Sequence, residues 1–170
     1  IILGGWASNN KYSLYGAIRS CAQFISYEIP LGLSIIGIVV ACGSLNIERI
    51  VDAQSHHGGI LGWNLWWQPL ALLLFFTSAL AETNRLPFDL PECEQELVGG
   101  FHTEYGGIKF VLFFLAEYTH VVTVSFMTAL LFLGGWNFYG VTGAGDGSLA
   151  SNLIRLLVLL VKVGGVVAFI

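Results

Sequence analysis

Apolar runs long enough to cross a lipid bilayer dominate this chain, and they narrow sharply what it can fold into. A hydrocarbon core about 30 Å thick is crossed by roughly 20 mostly apolar helical residues. Segments at about 25–45, 65–81, 110–135 and 149–170 meet that requirement. Backbone polar groups find no water in lipid, so such segments are helices. The expected fold class is an all-α membrane protein, a polytopic bundle of transmembrane helices in one domain over residues 1–170.

Composition agrees. Only 11% of residues are charged and mean hydropathy is +0.75, whereas soluble domains carry about 25% charged residues. The net charge of −4 is small and scattered, with no basic patch of the kind nucleic acids need. Cys21, Cys42 and Cys93 lie far apart without a CxxC, so they outline neither a disulfide framework nor a metal site. Ile1 to Trp6 reads as the last turn of an apolar helix, and the run from Val163 to Ile170 has no basic flank. Both ends look cut, which points to a fragment or to one part of a split gene product.

The connecting stretches alternate in charge. Ser8 to Ser20 carries Lys11 and Arg19, and the loop at about 82–109 carries Arg85 and Lys109. Asn46 to Asn64 carries Arg49, and Asn137 to Ser148 is followed by Arg155. The first pair is richer in Lys and Arg, which assigns it to the cytoplasm or matrix. Trp63, Trp66, Trp67 and Trp136 fall at the expected membrane interfaces, where indole rings are favoured.

Four ionisable groups sit where a bilayer makes them expensive: Glu28, Glu82, Glu117 and Lys162. A charge at the bilayer centre costs about 2.5–3.5 kcal/mol even on lenient insertion scales, and such residues commonly face a water-filled path or relay protons. Glu28 and Glu82 lie near span ends, so an interfacial carboxylate in headgroup water is the plain alternative. Glu117 lies well inside its span, followed directly by Tyr118, Thr119 and His120. Glu117 and His120 are three apart and share a helix face, but one Glu and one His are too few ligands for a metal centre.

The loop from Ala81 to Tyr105 is the most informative stretch. Asp89 with Glu92 resembles a capping box and Pro91 suits a first helical turn, which predicts a short helix from about Leu90 to Val98. Glu92 and Glu96 then share a face while Glu94 points elsewhere. With Asp89 and Glu104 they make an acidic cluster facing only Arg85 and Lys109. Like charges this close favour partial protonation; the plain alternative is a solvated acidic helix. Gly99-Gly100 beside the cluster is a candidate hinge, or simply a helix stop. The glycine-rich run Gly140 to Gly147 follows no strand and precedes no P-loop lysine, so it is a connector. His56-His57 lacks partners at ligand spacing and reads as a polar turn.

Three separated motifs carry a resemblance. Ala81-Glu82-Thr83-Asn84-Arg85 with Pro87-Phe88-Asp89-Leu90-Pro91-Glu92 and Glu96-Leu97-Val98, the stretch Gly5 to Tyr12 with Ser26-Tyr27-Glu28, and Phe113-Phe114-Leu115-Ala116-Glu117-Tyr118 stand in that family's order. Together they resemble the quinone-chamber membrane subunit of respiratory complex I. That family includes mitochondrial NADH dehydrogenase subunit 1 and its bacterial counterpart, with a close chloroplast and cyanobacterial relative. The resemblance covers essentially the whole chain. It implies about four of the family's roughly eight spans, counted by apolar length.

It also implies roles. Arg19, Glu28, Glu82, Glu104 and Glu117 fall where the family links its quinone cavity to the membrane proton path, and Arg85, Asp89, Glu92, Glu94 and Glu96 match its chamber loop. Quinone is then the substrate, while NAD, FMN and Fe–S clusters belong to partner subunits, and no metal site is expected here. The implied partners are hydrophilic quinone-site subunits, neighbouring membrane subunits and the lipid bilayer. The implied location is a bacterial inner membrane, with mitochondrial inner membrane and thylakoid also open. Membrane-bound hydrogenases, methanophenazine-linked dehydrogenases and the photosynthetic complex keep similar subunits and stay as alternatives. A secondary transporter should show two repeats with broken helices, and no such symmetry is visible.

Overall fold

The computed structural model describes residues 1–56, 59–85, 88, 100–138 and 149–170. Among these the regular structure is helical: α1 (Ile2–Ala7), α2 (Lys11–Cys42), α3 (Ile47–His56), α4 (Asn64–Trp67), α5 (Pro69–Glu82), α6 (Ile108–Phe132) and α7 (Leu149–Phe169). Short 3₁₀ turns cover Gly59–Gly62 and Gly100–His102. The protein is an all-α membrane protein.

Local chemistry explains several of the helix ends. Asn10 precedes α2, and its Oδ1 accepts the Tyr12 N–H at 3.0 Å, as an N-cap does. The helix stops at Gly43, whose φ of +66° admits the left-handed turn and whose N–H reaches Val39 O at 2.8 Å. Between those caps α2 runs for 32 residues with Pro30 inside. That is about 48 Å at 1.5 Å per residue, well over a bilayer core. It starts at Lys11, so much of the stretch expected as a loop before Ile25 is helical.

Three helices, α2, α6 and α7, are long and apolar enough to cross a membrane. The segment expected at 65–81 is interrupted instead. Residues preceding proline avoid the helical region, and Gln68 adopts φ −133° and ψ 59° between α4 and Pro69. The resulting α5 has 14 residues, about 21 Å. The expected loop from Asn46 to Asn64 also differs, because it holds α3. Asn46 caps that helix through Oδ1 to the Glu48 N–H at 2.9 Å, and Ile50, Val51 and Gln54 bury one of its faces.

The chain divides into two compact units, residues 1–31 with 77–120 and residues 32–76 with 121–170. In the second, Val51, Ala129, Leu130, Leu159 and Val163 form the apolar core with Trp136 packed against it. Gln54 sits in the same interior at 2% exposure. Its Nε2 donates to Ile50 O at 3.3 Å and Leu130 O at 3.2 Å, and its Oε1 accepts the N–H groups of Asn64 at 3.3 Å and Gly134 at 3.0 Å. A buried amide with both ends paired is stabilising where an unpaired one would not be.

Along α2, Ile25, Ile29, Leu33, Ile36 and Val40 recur at helical spacing and are 57–74% exposed. On α7, Leu153, Leu156, Leu157, Leu160 and Val161 recur likewise and are 54–66% exposed. Apolar faces this extensive are stable against lipid or another protein surface, not against water.

Candidate functional site

A cavity of about 780 Å³ lies wholly within the first unit. Helix α2 contributes Phe24 and Glu28; the end of α5 contributes Glu82, Thr83 and Asn84; the following turn contributes His102 and Tyr105. Helix α6 supplies Lys109, Glu117 and His120 together with the apolar Leu112, Phe113, Phe114 and Ala116. Ionisable groups therefore converge on a space whose remaining wall is largely aromatic and aliphatic, as in binding and transfer cavities generally.

The end of α5 is fixed tightly. Thr83 donates its N–H and its Oγ1 to Ala79 O at 3.0 and 2.9 Å. Asn84 then turns left-handed at φ +50°, and Arg85 N–H closes on Leu80 O at 3.2 Å, a C-terminal cap with Asn in the usual glycine role. From α2, the buried Gln23 donates Nε2 to Ala81 O at 2.6 Å and to Phe88 O at 2.9 Å. Glu82 and Arg85 are thus held in place by backbone bonds on both sides.

Two electrostatic pairs follow. Arg85 Nε stands 3.9 Å from Glu117 Oε1, and its guanidinium lies 5.4 Å from the centre of the Tyr118 ring. His120 Nε2 stands 3.6 Å from Glu82 Oε1. Both separations exceed hydrogen-bond range, so these are charge contacts with room to tighten or open. Glu117 and Glu82 keep 22% and 28% of their side chains exposed.

The residues singled out in the sequence separate in space. Glu28, Glu82 and Glu117 line the one cavity, and Arg85 reaches it through Glu117. Glu104 lines a different pocket of about 630 Å³ with Ser8, Tyr105 and Lys109, where its Oε1 accepts Asn10 Nδ2 at 2.6 Å. Arg19 is exposed on α2 and is absent from the lining of both pockets. Asp89, Glu92, Glu94 and Glu96, with the short helix expected over Leu90 to Val98, lie outside the described residues. So do His57 and the Gly140–Gly147 connector. Gly100 opens the 3₁₀ turn at φ +66°.

Sequence reasoning missed two positions, Gln23 and Asn10, and paired a third, His120, with the wrong residue. His120 faces Glu82 on α5 rather than serving as a partner for Glu117. Gln23 and Asn10 anchor the site through single amides that nothing in the local pattern marks. His120 was detectable as a polar residue one turn from Glu117, but its partner depends on how α5 and α6 pack in this unit.

A family profile described as NADH dehydrogenase matches residues 1–170. The chain belongs to the NADH dehydrogenase family. Among relatives, "NADH-quinone oxidoreductase subunit 8" of Rhodothermus marinus is 49% identical over 168 residues, covering 95% of this chain and 49% of the relative. An NADH-quinone oxidoreductase subunit of Salinibacter ruber is 47% identical over 169 residues, covering 96% and 49%. The like-named protein of Protochlamydia amoebophila is 50% identical over 146 residues, covering 86% and 42%. The chain spans about half the length of these NADH dehydrogenase relatives.

Proposed function

We propose that this chain is the middle portion of the membrane subunit of a proton-translocating NADH:quinone oxidoreductase. In that role it forms part of the quinone-binding chamber and couples quinone reduction to proton movement. The observation that carries the reading is the convergence of Glu28, Glu82 and Glu117 on one cavity, with Arg85 beside Glu117. Family membership and the names of the relatives support it.

The coupling is electrostatic. Reducing a quinone creates anionic charge and a demand for protons. The loop of Asp89, Glu92, Glu94 and Glu96 meets that change first and passes it to Arg85. A unit charge pair about 4 Å apart is worth about 1 kcal/mol in water and about 4 kcal/mol at an effective dielectric of 20. Half-solvated groups stay toward the low end. A shift of about 1.4 kcal/mol changes an equilibrium tenfold, so moving Arg85 relative to Glu117 biases the protonation of that carboxyl by a few-fold. Glu82 and Glu28 on the same cavity extend the route, Glu104 continues it at the neighbouring pocket, and Arg19 contributes positive charge from α2.

NAD, FMN and Fe–S clusters reside in partner subunits in this reading, and the exposed faces of α2 and α7 meet lipid or neighbouring membrane subunits. The location is an energy-transducing membrane, a bacterial inner membrane in the first instance.

Photo-crosslinking with an azido-quinone in the native complex tests the chamber. Label on the peptide from Glu82 to Tyr105, displaced by excess quinone, is the expected result. Inhibitor-sensitive turnover with no label anywhere in this chain would place the chamber elsewhere.

A further inference from the structure

Resting on the reading of this cavity as a proton route, we propose that His120 is a proton-exchanging residue that hands protons to Glu82. Three observations carry it. His120 and Glu82 line the same cavity. Their facing atoms, Nε2 and Oε1, are 3.6 Å apart, close enough for charge contact and too far for a settled hydrogen bond. The Nε2 atom is buried and makes no closer hydrogen bond among the described residues, so the Glu82 carboxylate is the group it addresses.

Imidazole suits the task, and the His120 ring faces a carboxylate. Its charge change lies near neutral pH, so the ring can take up and release a proton under ordinary conditions. The remaining ionisable side chains on the cavity include Glu28, Glu117, Lys109 and His102. Glu117 is engaged by Arg85.

The step balances without an added reagent. With the ring doubly protonated, its charge faces the Glu82 carboxylate. A small rotation or one bridging water closes the gap. The proton then moves from Nε2 to Oε1, leaving a neutral imidazole and a neutral carboxyl. The vacated Nε2 takes a proton from water in the cavity, and Glu82 releases its own proton onward, returning to a carboxylate. Opening the Arg85–Glu117 contact alters the field at the cavity and sets the timing.

The test uses the whole oxidoreductase complex carrying His120→Ala, His120→Gln or Glu82→Gln. Assembly is checked first, then inhibitor-sensitive NADH:quinone turnover and proton pumping in liposomes. General acid–base groups typically contribute about 10²–10⁴-fold, so His120→Ala should lower coupled turnover by at least about tenfold. His120→Gln should do the same although it keeps a polar side chain, and it is the variant to judge if the alanine form does not assemble. Added imidazole should restore turnover to the alanine variant, while thiazole, of similar size and much weaker basicity, should not. Normal coupled turnover in either assembled His120 variant, or equal rescue by thiazole, overturns the proposal. Glu82→Gln separates the two failures. If it is impaired while the His120 variants are normal, the role of His120 alone fails; if it is normal too, the proton route itself fails.

Discussion

The Nζ of Lys162 lies 2.7 Å from the carbonyl oxygen of Leu133, so a cation within the apolar helix α7 closes the C-terminal end of α6. The same ammonium donates to Gly135 O at 2.9 Å and Asn137 O at 2.7 Å. It also lies 4.6 Å from the centre of the Trp63 ring. These three carbonyls lie in the turn just after α6, where they need donors, beside the negative end of the helix dipole. A three-donor cation answers both needs, which explains how an expensive charge is kept inside α7.

Replacing Lys162 by Met should therefore destabilise the protein by about 2–4 kcal/mol, because several acceptors lose their partner at once. The measurement is the thermal midpoint of the assembled complex. Lys162→Arg, which keeps the charge and the donors, should retain most of the stability.

Gly134→Ala should be costly for a backbone reason. Its φ is +70°, and an added Cβ would stand 2.7 Å from Trp63 Nε1. Left-handed strain with a clash of this kind costs about 1–3 kcal/mol, and hydrogen exchange should rise at residues 133–137.

Gln23→Leu tests the anchoring of the cavity. It removes the donor to Ala81 O and Phe88 O, and leaving buried acceptors unpaired costs about 1–3 kcal/mol each. Faster proteolysis at the segment following Glu82 in the variant complex is the expected readout. An unchanged cleavage rate would mean the turn holds itself.

Glu104→Gln should suppress quinone reduction and pumping together while assembly stays intact. Glutamine keeps an oxygen that can accept from Asn10, whose Nδ2 now donates to Glu104 at 2.6 Å, so a structural defect is not expected. Normal coupled activity would remove Glu104 from the route.

Helices α6 and α7 and the second half of α2 were legible in the sequence because apolar length is a strong signal; the more polar first half of α2, Lys11 onward, was not. The break at Gln68 was also encoded, in the proline that follows it, but a hydropathy reading counts Pro69 as one more apolar residue. Helix α3 was hidden for the opposite reason: it is too polar overall to register as a span, and only Asn46 as cap with the spacing of Ile47, Ile50, Val51 and Gln54 marks it. Within the site, Glu28, Glu82 and Glu117 stood out because charge is rare in such helices. That Glu104 belongs to a separate pocket, and that His120 faces Glu82, depends on packing between elements distant in sequence. Gln23 and Lys162 likewise bind backbone carbonyls, which no residue pattern announces.

The cavity's role in coupling is decided by Glu117→Gln in the full oxidoreductase complex, read as inhibitor-sensitive NADH:quinone turnover and proton pumping in liposomes. Both should fall together, by at least about tenfold, in a complex that still assembles. Wild-type turnover with an unchanged number of protons pumped per NADH would contradict a proton route through Glu28, Glu82 and Glu117.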